Sequence, residues 1–321
     1  MSDNLLWSQP IETLAPKIQK GILSPVQLID CLLDRIEKYD GLIKSFVTIG
    51  PDIRKQAIDA EKQIKEGRYK GPLHGVPIAV KDNYLTSDMQ TKAGTSSEVN
   101  FPSEDSFCVA KLREAGAIII GKTNMKEFAW GGDTPPTRNP WNTDCVPGGS
   151  SGGSGAAIAA GFVSAALGSD TGGSIRMPAG LCGTVGLKPT YGLIGRSGIV
   201  PHSWSLDHAG PLAATVADTV FVTEALQGYD ENDPGNVNIK PQNFSEALGA
   251  DVKNLKIGIC RNHFFEGLET DVEKNVEAAI DDISKLGCEI VEFEVPNLEF
   301  GLGAIFAIEL ASSSAWHDPR I

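Results

Sequence analysis

Cysteine is sparse and scattered here: the six residues, at positions 31, 108, 145, 182, 260 and 288, form no CxxC pair and have no histidine partners of the kind a zinc site needs. They read as reduced thiols of a cytosolic protein. Positive charge is also short, with 28 Lys and Arg against 41 Asp and Glu and a formal net charge of −13. Without a basic patch to displace counterions, direct binding of tRNA or DNA is disfavoured. Long apolar runs are missing too. The longest small-apolar stretch, residues 156–167, is interrupted by Gly161 and Ser164 and falls short of the ~18 residues that suggest a membrane span. The opening MSDNLLWSQP has no basic segment followed by an apolar one, so nothing resembles a secretory signal. A soluble, cytoplasmic chain with no membrane contact is expected.

What is present suits a folded enzyme: 321 residues, 41% of them apolar and 21% charged, with 35 glycines that call for many tight turns. Ser24-Pro25, followed by Val26, Ile29, Leu33 and Ile36, combines an N-cap, a proline at the first helical position and an apolar stripe. Gly75 to Val80 reads as a strand ending at Lys81-Asp82-Asn83, where an open α/β sheet places its chemistry. Helix 106–115, strand 117–120, helix 216–226, strand 255–260, helix 272–286, strand 289–295 and a final helix 301–313 continue an α/β alternation. Residues 229–242, rich in Asp, Asn, Pro and Gly, read as a long loop.

The densest signal is GGSSGGSGAAIAAG from Gly148, followed by LGSDTGGSIRMPAG from Leu167. A phosphate cradle would need a Walker lysine or a GxGxxG after a strand, and neither is there. Gly149-Ser-Ser-Gly-Gly153 satisfies GxSxG, which would make Ser151 the nucleophile of an elbow, with His208 beside Asp207 as the best-placed histidine. That match is cheap in a Gly/Ser tract. A third reading joins both halves to Lys81. A serine hydroxyl needs a base, a lysine serves as one only when burial keeps it neutral, and Ser150 lies between Ser174 and Lys81 as a proton relay. Thr171, Gly172 and Gly173 then supply successive backbone N–H groups for an oxyanion. Asp170 and Arg176 flank that loop and read as its supports, Ser151 and Ser154 as turn and cap residues, and Cys182 as packing.

Lys81-Asp-Asn83, Gly148 to Gly153 and Asp170 to Pro178 together resemble the amidase signature family, and the two serines lie 24 residues apart, as in that family. The resemblance runs from the N-terminal helix to Leu206-Asp-His-Ala-Gly-Pro211 and more weakly beyond. It implies a mixed β-sheet core covered by helices on both faces, in a single amidase domain over residues 1–321. It also implies a Ser-cisSer-Lys triad: Ser174 as nucleophile, Ser150 after a cis peptide from Gly149, and Lys81 as base. The implied activity is hydrolysis of a carboxylic amide to an acid and ammonia or an amine, with no metal or organic cofactor. A glutaminase subunit of a tRNA-dependent amidotransferase shares these motifs, so the partners in view are a small amide, a second copy in a homodimer, or amidotransferase subunits. Family members continue beyond residue 321 with a part that completes the sheet and lines the acyl pocket. Truncation, and with it a non-catalytic homologue, therefore stands as a further expectation.

Overall fold

The computed structural model describes residues 3–97 and 101–317; the ends of the sequence, residues 1–2 and 318–321, lie outside it. The chain divides into two compact units, residues 1–245 with 312–321, and residues 246–311.

The first unit is built on six strands: β1 (Phe46–Ile49), β2 (Pro77–Lys81), β3 (Ile118–Thr123), β4 (Ala165–Asp170), β5 (Val185–Gly186) and β6 (His208–Ala213). Their order in the sheet is β1-β3-β2-β4-β6-β5. The sheet is mixed, as expected. β2 runs parallel to both β3 and β4, while β1, β5 and β6 pair antiparallel. The strands β2, β3 and β4 are buried along their whole length, the pattern of a sheet covered on both faces. Strand β3 continues past the expected end at Ile120, because Lys122 and Thr123 keep pairing with Val80 and Lys81.

Helices α1 (Ile11–Gln19), α2 (Pro25–Ile43), α3 (Ile53–Lys65) and α4 (Phe107–Glu114) belong to this unit, as do α5 (Gly152–Ala159), α6 (Arg176–Cys182) and α7 (Val216–Leu226). Helix α2 starts where the sequence places it: the Ser24 hydroxyl accepts from Val26 N, Gln27 completes a capping box, and Pro25 follows the cap. Helix α5 begins inside the Gly/Ser tract, and Gly152 through Ile158 are buried. Glycine is required there by close approach, since a Cβ on Gly153 would lie 2.4 Å from Asn124 O and 2.6 Å from Ser45 O. Poor helix propensity is overridden by the access that a bare backbone gives.

The second unit holds β7 (Lys256–Cys260), α8 (Thr270–Lys285) and β8 (Glu289–Phe293), with β7 and β8 pairing in parallel. The last helix, α9 (Gly301–His317), begins in this unit, and its residues from Ser312 onward belong to the first. Leu298–His317, 20 residues of mean hydropathy 1.3, is long and apolar enough to cross a membrane by length and composition alone. Its final turns are held by protein: Ser312 Oγ accepts from Ser203 Oγ at 3.1 Å, Ser313 Oγ donates to His202 O at 3.0 Å, and Trp316 meets Trp204 edge-on.

Candidate active site

Parallel pairing of β2 with β4 brings their carboxyl ends side by side, which sets Lys81 against Ser169 and the loop that follows Asp170. Lys81 is fully buried. Its Nζ donates to Ser150 Oγ at 2.7 Å, to Ser169 Oγ at 2.8 Å and to Ser169 O at 3.5 Å. Burial drives the Lys81 ammonium down to about 7, against a smaller upward pull from the Asp207 and Asp170 carboxylates. At neutral pH a large share of Lys81 is therefore the free amine. Two of its N–H groups then suffice for Ser169, and the lone pair faces the Ser150 hydroxyl.

Ser150 is buried and follows a cis peptide from Gly149. Its carbonyl accepts from Lys126 N at 3.1 Å and from Thr134 Oγ1 at 3.4 Å, so its backbone is fixed from outside the glycine tract. Ser174 lies on the loop between β4 and α6 and is half-buried. Its carbonyl accepts from Ser151 N at 3.3 Å, which ties the two serine loops together. Lys81 and Ser150 are hydrogen-bonded, whereas among the described residues no hydrogen bond joins the Ser150 and Ser174 hydroxyls, and Ser174 lies on the adjoining loop.

Asp170, fully buried at the end of β4, organises that loop. Its Oδ1 accepts from Gly173 N at 2.8 Å and Arg176 Nη2 at 2.9 Å, and its Oδ2 from Ile175 N at 3.1 Å and Arg176 Nε at 3.0 Å. Burial pushes its carboxyl up, but the Arg176 guanidinium and the backbone N–H groups outweigh this and hold it below the ordinary value. The supporting role expected of Asp170 and Arg176 is what the structure contains. One oxyanion candidate needs correction: the Gly173 N–H is engaged by Asp170. The N–H groups of Thr171, Gly172 and Ser174 have no protein acceptor among the described residues. Thr171 is steadied by its hydroxyl, which donates to Asp207 Oδ1 at 2.6 Å.

The elbow reading fails on geometry. Ser151 is buried, its hydroxyl donates to Ser169 O at 3.2 Å, and it accepts from Ser169 N at 3.3 Å. His208 points elsewhere, with Nδ1 at 2.6 Å from Leu206 O and Nε2 at 3.2 Å from Lys188 Nζ. Ser154 bonds Leu167 O at 2.9 Å, a packing role. Burial raises the Cys182 thiol to about 12, so it is no thiolate nucleophile at neutral pH.

The contacts of four polar residues near Lys81 were not legible in the sequence. Ser169 touches Lys81 directly, and Asn83 Nδ2 donates to Ser169 Oγ at 3.1 Å. Lys122 and Asp82 form a fully buried ion pair at 3.1 Å, and Lys122 also bonds the Thr91 hydroxyl. Lys122 did carry a signal, a lysine closing the apolar run Ile118-Ile-Ile-Gly121.

The amidase family model matches residues 27–318 of this chain. The chain belongs to the amidase family. A glutamyl-tRNA(Gln) amidotransferase subunit from Exiguobacterium sibiricum is 43% identical over 316 residues, covering 97% of this chain and 65% of that protein. Its namesake in Geobacter sp. strain M21 is 42% identical over 97% of this chain and 65% of its own length. The chain thus spans 65% of the length of these curated relatives. Among solved structures, the native peptide amidase of Stenotrophomonas maltophilia superimposes with a TM-score of 0.87 at 32% identity, over 96% of this chain and 66% of that one. The glutamyl-tRNA(Gln) amidotransferase subunit of the same name from Thermotoga maritima gives 0.86 at 36% identity, over 98% and 67%. This amidase-family chain shares the mixed sheet with helices of those structures.

Proposed function

We propose that this chain is the catalytic portion of an amide hydrolase working through a Ser174 acyl-enzyme. The observation that carries the reading is the buried, near-neutral Lys81 amine at 2.7 Å from Ser150. Ser174 Oγ attacks the carbonyl carbon while its proton passes to Ser150 and the Ser150 proton passes to Lys81. Negative charge forming on the carbonyl oxygen is met by the uncommitted N–H groups of Thr171, Gly172 and Ser174. Collapse expels ammonia or an amine, which takes the proton back through Ser150, and water then hydrolyses the ester by the same relay in reverse. The family match runs through both compact units, which supports treating them as parts of one amidase domain. The six thiols are all free, in keeping with a cytoplasmic setting.

The names of the relatives favour a second reading, in which this chain supplies ammonia to partner subunits of an amidotransferase. Ammonia release separates the two. A stand-alone amidase hydrolyses simple carboxamides by itself, whereas the subunit is nearly silent on glutamine until partner subunits and ATP are added. No ammonia from carboxamides or from glutamine under either condition would dismiss both in favour of a non-catalytic homologue.

A further inference from the structure

The tract Gly148-Gly-Ser-Ser-Gly-Gly153 has few side-chain atoms with which to hold its own shape, and glycine is the residue with the most backbone freedom to lose on ordering. Yet Ser150 Oγ sits 2.7 Å from Lys81 Nζ, and a catalytic group misplaced by roughly 1 Å can cost about 100-fold in rate. The restraint on Ser150 therefore comes from elsewhere in the chain.

Thr134 supplies much of it. The residue is 1% exposed, and its hydroxyl donates to Gly148 O at 2.9 Å and accepts from Gly152 N at 3.2 Å. Those groups lie two residues before and two residues after Ser150, so one oxygen atom closes the turn that carries it. Ser150 O, 3.4 Å from the same hydroxyl, is a second and longer acceptor. The fit is steric as well: a Cβ on Gly152 would lie 2.6 Å from Thr134 Oγ1, and one on Gly149 would lie 2.5 Å from Asp133 O. Residues 133–134 are thus pressed against the backbone on either side of Ser150.

This clamp is anchored far from the tract. Thr134 O accepts from Thr137 N at 2.8 Å, and the Thr137 hydroxyl donates to Lys44 O at 2.7 Å. Asn124 Nδ2 bonds both Thr137 Oγ1 at 2.9 Å and Pro135 O at 3.3 Å, while Asn124 O accepts from Gly153 N at 3.1 Å. Segment 134–137 and the start of α5 therefore share one support, just past the end of β3.

We propose that Thr134 is a positioning residue for the reaction, its hydroxyl holding Ser150 at hydrogen-bond distance from Lys81; the assignment rests on the Ser174–Ser150–Lys81 reading above. A hydroxyl suits the task because one atom offers both a hydrogen and lone pairs. Valine has nearly the same shape but offers neither, and it deprives two buried groups, Gly148 O and Gly152 N, of their bonds to position 134.

The test follows labelling of Ser174 by a serine-reactive fluorophosphonate in the full chain, which needs no knowledge of the natural amide. Thr134→Val is expected to lower the maximal labelling rate about 100-fold while the half-saturating probe concentration changes less than about threefold. Thr134→Ser, which keeps the hydroxyl, recovers most of the rate. The deciding comparison is made in a Ser150→Ala chain: adding Thr134→Val there costs less than about twofold, because the hydroxyl it positions is already gone. Equal losses in the two backgrounds overturn the proposal. So does a chain that folds with neither Thr134→Val nor Thr134→Ala, since the hydroxyl then holds the fold and not the relay. Absence of any label on Ser174 in the parent overturns the amidase reading itself, and the proposal with it.

Discussion

Lys81 Nζ and Ser150 Oγ are 2.7 Å apart, and neither side chain is reached by solvent. Their contact converts the cost of burying a lysine into basicity at neutral pH, and most of what can be tested follows from it.

Rate should follow the free amine of Lys81. With its ammonium at about 7, kcat/KM for a carboxamide rises as pH climbs through that value and levels off above it. Lys81→Met removes the limb and lowers kcat/KM by a factor on the order of 10²–10⁴. A pH-rate profile from 5 to 9 checks both.

The same group links pH to stability. Folded Lys81 titrates at about 7, against 10.5 for an exposed lysine. Between those values the unfolded chain binds the extra proton, so stability rises with pH through this window and the full penalty applies below it. In thermal melts from pH 7 to 10 the parent should gain several degrees relative to Lys81→Met.

Asp170 carries the loop that holds Ser174. Asp170→Ala leaves the Gly173 and Ile175 N–H groups without their acceptor, a loss of about 2 kcal/mol or more. Urea denaturation measures it, and activity should fall even in the folded fraction. Ser174→Ala should leave the denaturation midpoint within about 0.5 kcal/mol of the parent, since its hydroxyl makes no hydrogen bond among the described residues.

Gly153→Ala places a methyl group 2.4 Å from Asn124 O. Backbone cannot give way as a side-chain tip can, so we expect a loss near the upper end of the roughly 1–3 kcal/mol seen for overpacking, read from the same denaturation curves.

Much of this architecture was legible in the residues. The cap at Ser24, the helix over 216–226 and the polar end of β2 follow from periodicity and capping chemistry, which are local. Lys81, Ser150 and Ser174 came from joining three motifs, and the cis peptide at Gly149 from the family resemblance. The contacts of Ser169 and Asn83 with each other and of Ser169 with Lys81 were not read. Their roles depend on the parallel alignment of β2 with β4, which local patterns do not specify. Gly173 was misassigned for a related reason. A run of glycines shows that N–H groups are accessible, but not that Asp170, three residues earlier, has already taken one of them. The start of α5 inside the Gly/Ser tract was hidden because close contacts with Asn124 and Ser45, distant in sequence, decide it.

The most direct test of the central claim is to label the chain with a serine-reactive fluorophosphonate and locate the adduct by mass spectrometry, with and without Lys81→Met. A single adduct on Ser174 is expected, formed at least about 100-fold more slowly in the variant. An adduct on Ser151, or labelling of Ser174 that does not depend on Lys81, would contradict it.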